Sequence, residues 1–191
     1  MVLKSLSKVT LTSIVVTAII GGVIYFISIQ SSNKSSSKNI DISENSNTTT
    51  LASVWDKATE PTYQGTKEMT VYCSPNCGCC GVWVEHAQKH GFEVKEIKTE
   101  EIEALKEKYN VPPELASCHT TIIDGYVMEG HIPADDIKRF LKEKSEMAGL
   151  AVPGMPLGTP GMEAGETKQP FQVLAFDGQG KVEVFKEYQS Y

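Results

Sequence analysis

The hydrophobic pattern divides the chain into three stretches of different character. Between Lys8 and Lys34 there is no charged residue, and Val9 to Ile29 (VTLTSIVVTAIIGGVIYFISI) supplies 21 mostly apolar positions, about the ~20 that a helix needs to cross a bilayer. Residues 30–50 (QSSNKSSSKNIDISENSNTTT) then offer Ser, Asn, Thr and Lys with almost nothing to bury, the composition of a flexible tether. From residue 51 onward apolar and polar positions alternate with the periods of regular structure.

Within that body, Val54 to Ala58 reads as a short helical lead, and Glu68 to Cys73 (EMTVYC) alternates with β-forming residues as a strand ending at the turn Ser74-Pro75-Asn76. Val82, Trp83 and Ala87 predict a helix from Cys79 to His90, stopped by Gly91. Phe92 to Ile97 is a second strand. Thr99-Glu100-Glu101 opens a second helix, with Ile102, Leu105 and Tyr109 on its inner face and the acidic stretch Glu100 to Glu107 solvated. Thr120 to Ile123 and Tyr126 to Glu129 flank Asp124-Gly125, a hairpin signal. Pro133 and Asp135-Asp136 start a third helix, Ala134 to Lys144. Gly and Pro at residues 149–170 predict a loop without regular structure, and Val173 to Phe176 with Val182 to Phe185 close the chain as a hairpin around Asp177-Gly178. The order β-α-β-α-β-β-α is the thioredoxin-like string: an α/β fold with a mixed sheet and helices on both faces, here followed by a Gly/Pro/Met loop and a C-terminal β-hairpin.

Charge narrows the choice of partners. The chain has 18 basic and 24 acidic residues, of which 4 and 2 precede residue 51, so residues 51–191 carry a net charge of −8. An anionic body without a basic stripe argues against nucleic acid. At the other end, Lys4 and Lys8 precede the apolar run, whereas the tether mixes Lys34 and Lys38 with Asp41 and Glu44; the positive-inside bias keeps the N-terminus cytoplasmic. The expected organisation is a cytoplasmic start (1–8), a single transmembrane anchor (9–29), a linker (30–50) and a folded body (51–191). The body then faces outward across the membrane, or is released on that side if residues 9–29 act as a cleaved signal peptide. The length of the run and the lack of an A-x-A-like site favour the anchor.

Four of the five cysteines lie within eight residues, Cys73 to Cys80. Cys77-Gly78-Cys79-Cys80 leaves a strand end and enters a helix, where unpaired N–H groups and the helix dipole favour anionic sulfur. Cys77 and Cys80 form a C-x-x-C of redox spacing, but Cys79 adds a third sulfur that a dithiol exchanger does not need. Thiolates crowded on one turn repel unless a cation neutralises them, and soft sulfur selects Cu(I), Zn or iron–sulfur clusters. Adjacent Cys79 and Cys80 fit poorly as two corners of one tetrahedral zinc. Cys118-His119 precedes the third strand, where a thioredoxin-like fold brings a loop against the C-x-x-C turn, and adds a fourth sulfur and an imidazole. Cys73 either stands beside the site or points into the sheet. Met155 and Met162 read as gap-fillers before soft ligands. His86 and His90, four apart on the first helix, read as a solvated face, and His131 as a helix-start residue rather than a ligand.

The motifs Ser74-Pro75-x-Cys77-Gly78-Cys79-Cys80-Gly81, Val111-Pro112-Pro113-Glu114-Leu115-Ala116-Ser117-Cys118-His119-Thr120, Gly125 to Pro133 (GYVMEGHIP) and Gly149-Leu150-Ala151-Val152-Pro153-Gly154-Met155-Pro156 through Gly161-Met162-Glu163 resemble the CopG-type family of bacterial extracytoplasmic metal-binding proteins. The resemblance covers about residues 68–190. It implies a thioredoxin-like fold, association with copper resistance, and binding of one or several Cu(I) ions by Cys77, Cys79, Cys80 and Cys118 with His119 close by. Cys73 departs from the usual pattern. The leading expectation is an extracytoplasmic protein that holds Cu(I) as a multinuclear thiolate cluster in copper handling or resistance, exchanges copper with other copper-handling proteins, and either stores copper or changes its oxidation state. The alternative is a thiol–disulfide oxidoreductase using Cys77 and Cys80, against which stand Cys79 and the position of Cys118, where such enzymes present a proline.

Overall fold

A computed structural model describes residues 53–57 and 63–191. The apolar run 9–29 and the tether 30–50 lie outside the described residues; among those described, no helix is long and apolar enough to cross a membrane. The elements are β1 (Glu68–Cys73), α1 (Gly78–Lys89), β2 (Glu93–Lys98), α2 (Ile102–Lys108), β3 (His119–Ile123), β4 (Tyr126–Glu129), α3 (Ala134–Glu143), β5 (Gly149–Ala151), β6 (Phe171–Phe176) and β7 (Val182–Tyr188), with 3₁₀ turns at Val54–Asp56 and Pro113–Leu115. Through α3 this is the order that the alternation predicts. β1 and β4 keep their predicted ends because a turn, Ser74-Pro75 or Asp124-Gly125, bounds each of them.

One seven-stranded mixed sheet runs in the order β2-β1-β3-β4-β5-β6-β7. β1 pairs parallel with β2 and antiparallel with β3, with Cys73 opposite His119. That register sets the turn after β1, which leads to Cys77, beside the residues that enter β3. Side chains alternate between the two faces, as a pleated sheet requires. Met69, Val71, Ile123, Met128, Leu150, Val173 and Ala175 pack with Trp83, Val84 and Ala87 of α1 and Ile137, Phe140 and Leu141 of α3. The alternate positions Val127, Ala151 and Phe176 form a second cluster with Val111 and Leu115 from the segment after α2. Both faces of the sheet are therefore covered, and α1 is held from below by the larger of the two cores.

Two expectations need correction. Residues 149–170 are not wholly irregular, because Gly149–Ala151 forms β5, parallel to β4 and antiparallel to β6. No local propensity announces so short a strand; pairing on both sides makes it. Gly149 permits it, since a Cβ there would overlap the Val127 carbonyl. The C-terminal hairpin β6–β7 is thereby joined to the main sheet. Nor do His86 and His90 form a solvated face, for each is less than a tenth exposed. His86 Nε2 accepts the Ala134 N–H at 3.0 Å, and His90 Nε2 lies 2.6 Å from the Trp55 carbonyl. The start of α3 and the segment 53–57 cover that side of α1, and helical spacing alone does not reveal which element will cover a face.

Candidate metal centre

The site forms where α1 begins. Cys77 is the N-cap residue of α1, and its side chain makes no capping hydrogen bond. Cys77 and Cys80 are joined by a disulfide with Cα atoms 5.6 Å apart, while Cys79 and Cys118 are free thiols. Cys79 Sγ stands 3.5 Å from Cys77 Sγ and 3.8 Å from Cys118 Sγ. Cys80 Sγ lies 3.8 Å from the Cys118 carbonyl. The sulfurs of Cys77, Cys79, Cys80 and Cys118 all fall within 4.8 Å of one another, with Cys80 buried and the other three half-buried. The loop before β3 thus meets the first turn of α1, as expected for Cys118.

The imidazoles come from two sides. His119 opens β3 fully buried, its Nδ1 3.3 Å from Cys118 Sγ, and its ring packs against Trp83 with centroids 4.6 Å apart. Its Nε2 is buried without a hydrogen-bond partner, an open lone pair or N–H of the kind that a native structure rarely leaves unexplained. His131, which the chain pattern assigns to a helix start and not to the site, stands here as well. Its Nε2 lies 2.9 Å from Cys118 Sγ, and its Nδ1 2.7 Å from the Pro160 carbonyl. A carbonyl oxygen only accepts, so Nδ1 carries the proton and Nε2 turns its lone pair to the sulfur; a partner on the far nitrogen fixes a metal-binding imidazole in this way. Cys118, His119 and His131 form a second group of converging ligand atoms that shares its sulfur with the first. Glycine–methionine pairs single out the loop 149–170, but its contribution to His131 is a backbone carbonyl, which carries no sequence signal.

That loop lies directly on the site. Gly161 has φ +80°, and a Cβ there would lie 2.8 Å from the Trp83 nitrogen and 3.1 Å from the Cys79 carbonyl, so only glycine lets the loop approach α1 so closely. Met155 is half exposed and Met162 partly buried. Cys73 is excluded from the sulfur group: it is buried at the end of β1, with Sγ 3.4 Å from Glu96 Oε1, and burial pushes its thiol up.

Electrostatics favour a cation. Two thiolates 3.8 Å apart repel by about 4 kcal/mol at an effective dielectric of ~20, so they cannot both stay ionised near neutral pH alone. Burial, with the neighbouring Cys79 sulfur second, pushes the Cys118 thiol up to about 12. Burial pushes His119 well below the usual imidazole range and lowers His131 as well, which leaves both rings neutral and able to act as ligands. A metal ion that displaces the Cys118 proton neutralises the sulfurs and uses the open nitrogen lone pairs. The donors are soft sulfur and borderline nitrogen, the set that Cu(I) and Zn(II) take.

Comparison with known proteins follows this geometry. A family model described as "Protein of unknown function, DUF411" matches residues 115–162, the stretch that holds Cys118, His119, His131 and the loop through Met162. No curated protein matches the chain. Two solved structures do: "Copper resistance protein copG- Form 1", at 40% identity and TM-score 0.63, covering 66% of this chain and 100% of that chain, and "Form 2", at 40% identity and TM-score 0.62, covering 65% and 99%. Fold and site together define an α/β protein whose cysteines and histidines can hold metal. More narrowly, the chain belongs to the CopG family of copper resistance proteins, as its motifs imply.

With its thiol pushed up to about 12, Cys118 carries about one thiolate in ten thousand at pH 8, against a substantial fraction for an ordinary cysteine near 8.5. In the metal-free chain its alkylation by iodoacetamide at pH 8 is expected to be at least ~100-fold slower than that of an unhindered cysteine, since the thiolate is the nucleophile. Mass spectrometry of the Cys118 peptide measures the rate; labelling as fast as a free thiol would contradict the assignment of a protonated, buried Cys118.

Proposed function

We propose that this chain binds copper as Cu(I), held as a multinuclear thiolate cluster between the first turn of α1 and Cys118, in a thioredoxin-like body outside a bacterial inner membrane, where it handles copper in resistance together with other copper-handling proteins. The observation that carries this reading is the convergence of four sulfurs within 4.8 Å. Thiolates bridge soft metal ions, and a sulfur-rich donor set of this kind suits Cu(I), with adjacent Cys79 and Cys80 fitting poorly as two corners of one tetrahedral zinc. The neighbours' name, copper resistance protein, adds support. Reduction of the Cys77–Cys80 disulfide is required for all four sulfurs to act; with it closed, Cys79, Cys118, His119 and His131 are the donors left.

A second reading, thiol–disulfide exchange, is favoured by one observation: the disulfide joins a C-x-x-C at a helix N-terminus, the arrangement that lowers a thiol's pKa in such enzymes. The free Cys79 and Cys118 thiols around it favour metal.

Titrated with Cu(I) without oxygen after reduction, the full chain is expected to saturate above one copper per chain, and Cys118→Ala to lose most of its copper to a competing chelator. Saturation at one copper or fewer would contradict the cluster. Equal retention by Cys118→Ala, with brisk disulfide turnover by the metal-free wild type, would transfer the assignment to the oxidoreductase.

The placement outside the membrane rests on the charge-free run 9–29 and the lysines before it. Alkaline phosphatase fused after residue 50 should be active and stay with the membranes through a carbonate wash. Activity in the soluble fraction would mean cleavage of the N-terminal segment, and an inactive fusion would overturn the outward placement.

A further inference from the structure

One ion pair lies inside the body without touching the sulfurs or the imidazoles. Lys106 is the one buried residue of α2 and is 4% exposed; Glu129, the last residue of β4, is fully buried. Lys106 Nζ pairs with Glu129 Oε1 and donates to Thr120 Oγ1 at 3.1 Å. The same carboxylate accepts the Ser117 N–H at 2.7 Å on Oε1 and the Thr120 hydroxyl at 2.7 Å on Oε2. Ser117 precedes Cys118, and Thr120 follows His119. Both flanks of the Cys118–His119 pair are therefore tied to one carboxylate. Beyond it, Ser117 Oγ donates to the Gly154 carbonyl and the Gly154 N–H to the Ala116 carbonyl at 3.1 Å, so the tie extends to the loop that carries Met155.

A buried ion pair is a poor way to stabilise a core, because desolvation of the charges offsets their attraction and apolar residues of like size commonly serve as well or better. Here the carboxylate does what an apolar residue cannot, since it accepts the one backbone N–H that sets the approach of Cys118. Lys106 neutralises its charge, so that the support does not add an anion beneath a group of thiolates. Partners that orient ligands from behind are worth about 10–100-fold in metal affinity.

We infer that Glu129, neutralised by Lys106, is a positioning residue that holds Cys118 at bridging distance from the Cys79 sulfur of α1, with His119 beside it. The inference rests on the copper-binding reading above and deepens it. Two charge-free variants of the full chain separate positioning from packing. Lys106→Met with Glu129→Met replaces the pair by apolar volume and leaves the Ser117 N–H without an acceptor. Lys106→Met with Glu129→Gln keeps an amide oxygen for that N–H. Cu(I) is the probe, added without oxygen to the reduced chain against a competing chelator. The Met/Met variant is expected to bind Cu(I) about 10–100-fold more weakly, with a shifted near-ultraviolet thiolate-to-copper band, while its metal-free form keeps the wild-type far-ultraviolet circular dichroism and a cooperative melt. The Met/Gln variant should recover affinity to within about threefold and regain the wild-type band. Equal affinity and equal spectra in the two variants would overturn the inference while leaving copper binding in place. A wild-type chain that holds no Cu(I) would instead overturn the copper reading, and this inference with it.

Discussion

The antiparallel pairing of β1 with β3 is the constraint on which the site depends. Cys73 stands opposite His119, so the residue that ends one strand is level with the residue that begins the other. The turn after β1 must then run beside the loop before β3, and α1, pinned by Trp83, Val84 and Ala87 in the larger core, presents its first turn to that loop. Cys79 and Cys118, 39 positions apart in the chain, meet at 3.8 Å as a result. Sulfurs brought so close in a half-buried place either keep their protons, join as disulfides or share a cation. Two of these conditions are seen here, a Cys118 thiol pushed up to about 12 and a Cys77–Cys80 disulfide, and the convergence of the sulfur and imidazole ligand atoms makes the third the proposed one.

The rest of the body supplies orientation. Pro160 fixes the tautomer of His131 through its carbonyl, and Gly161 lets the same loop lie on α1. On the other side of Cys118, Glu129, paired with Lys106, accepts the Ser117 N–H and the Thr120 hydroxyl. The candidate ligands on separate segments are thus oriented by neighbouring groups behind them, the kind of support that tunes a metal site.

Much of this is legible in the sequence where a signal is local. Period-two alternation between clear turns marks β1 and β4, the C-G-C-C run marks three of the sulfurs by residue type and spacing, and Cys118 joins them through the expected position of its loop before the third strand. What escapes has its cause in tertiary contact. His131 reads as the start of a helix because only the fold brings it to Cys118, and the Pro160 carbonyl that orients it is the same in any residue. His86 and His90 look solvated until α3 and residues 53–57 cover them. β5 is hidden among glycines and prolines because its stability comes from β4 and β6. Lys106, in a stretch that reads as a charged outer face, turns inward to meet Glu129, a partner 23 residues away.

The central claim is that the four sulfurs act together on copper. X-ray absorption at the copper edge of the reduced, Cu(I)-loaded full chain tests it most directly. The account predicts a first shell dominated by sulfur together with a short copper–copper vector, the mark of thiolate-bridged ions. A first shell of nitrogen and oxygen alone, or an isolated copper with no second copper nearby, would contradict it.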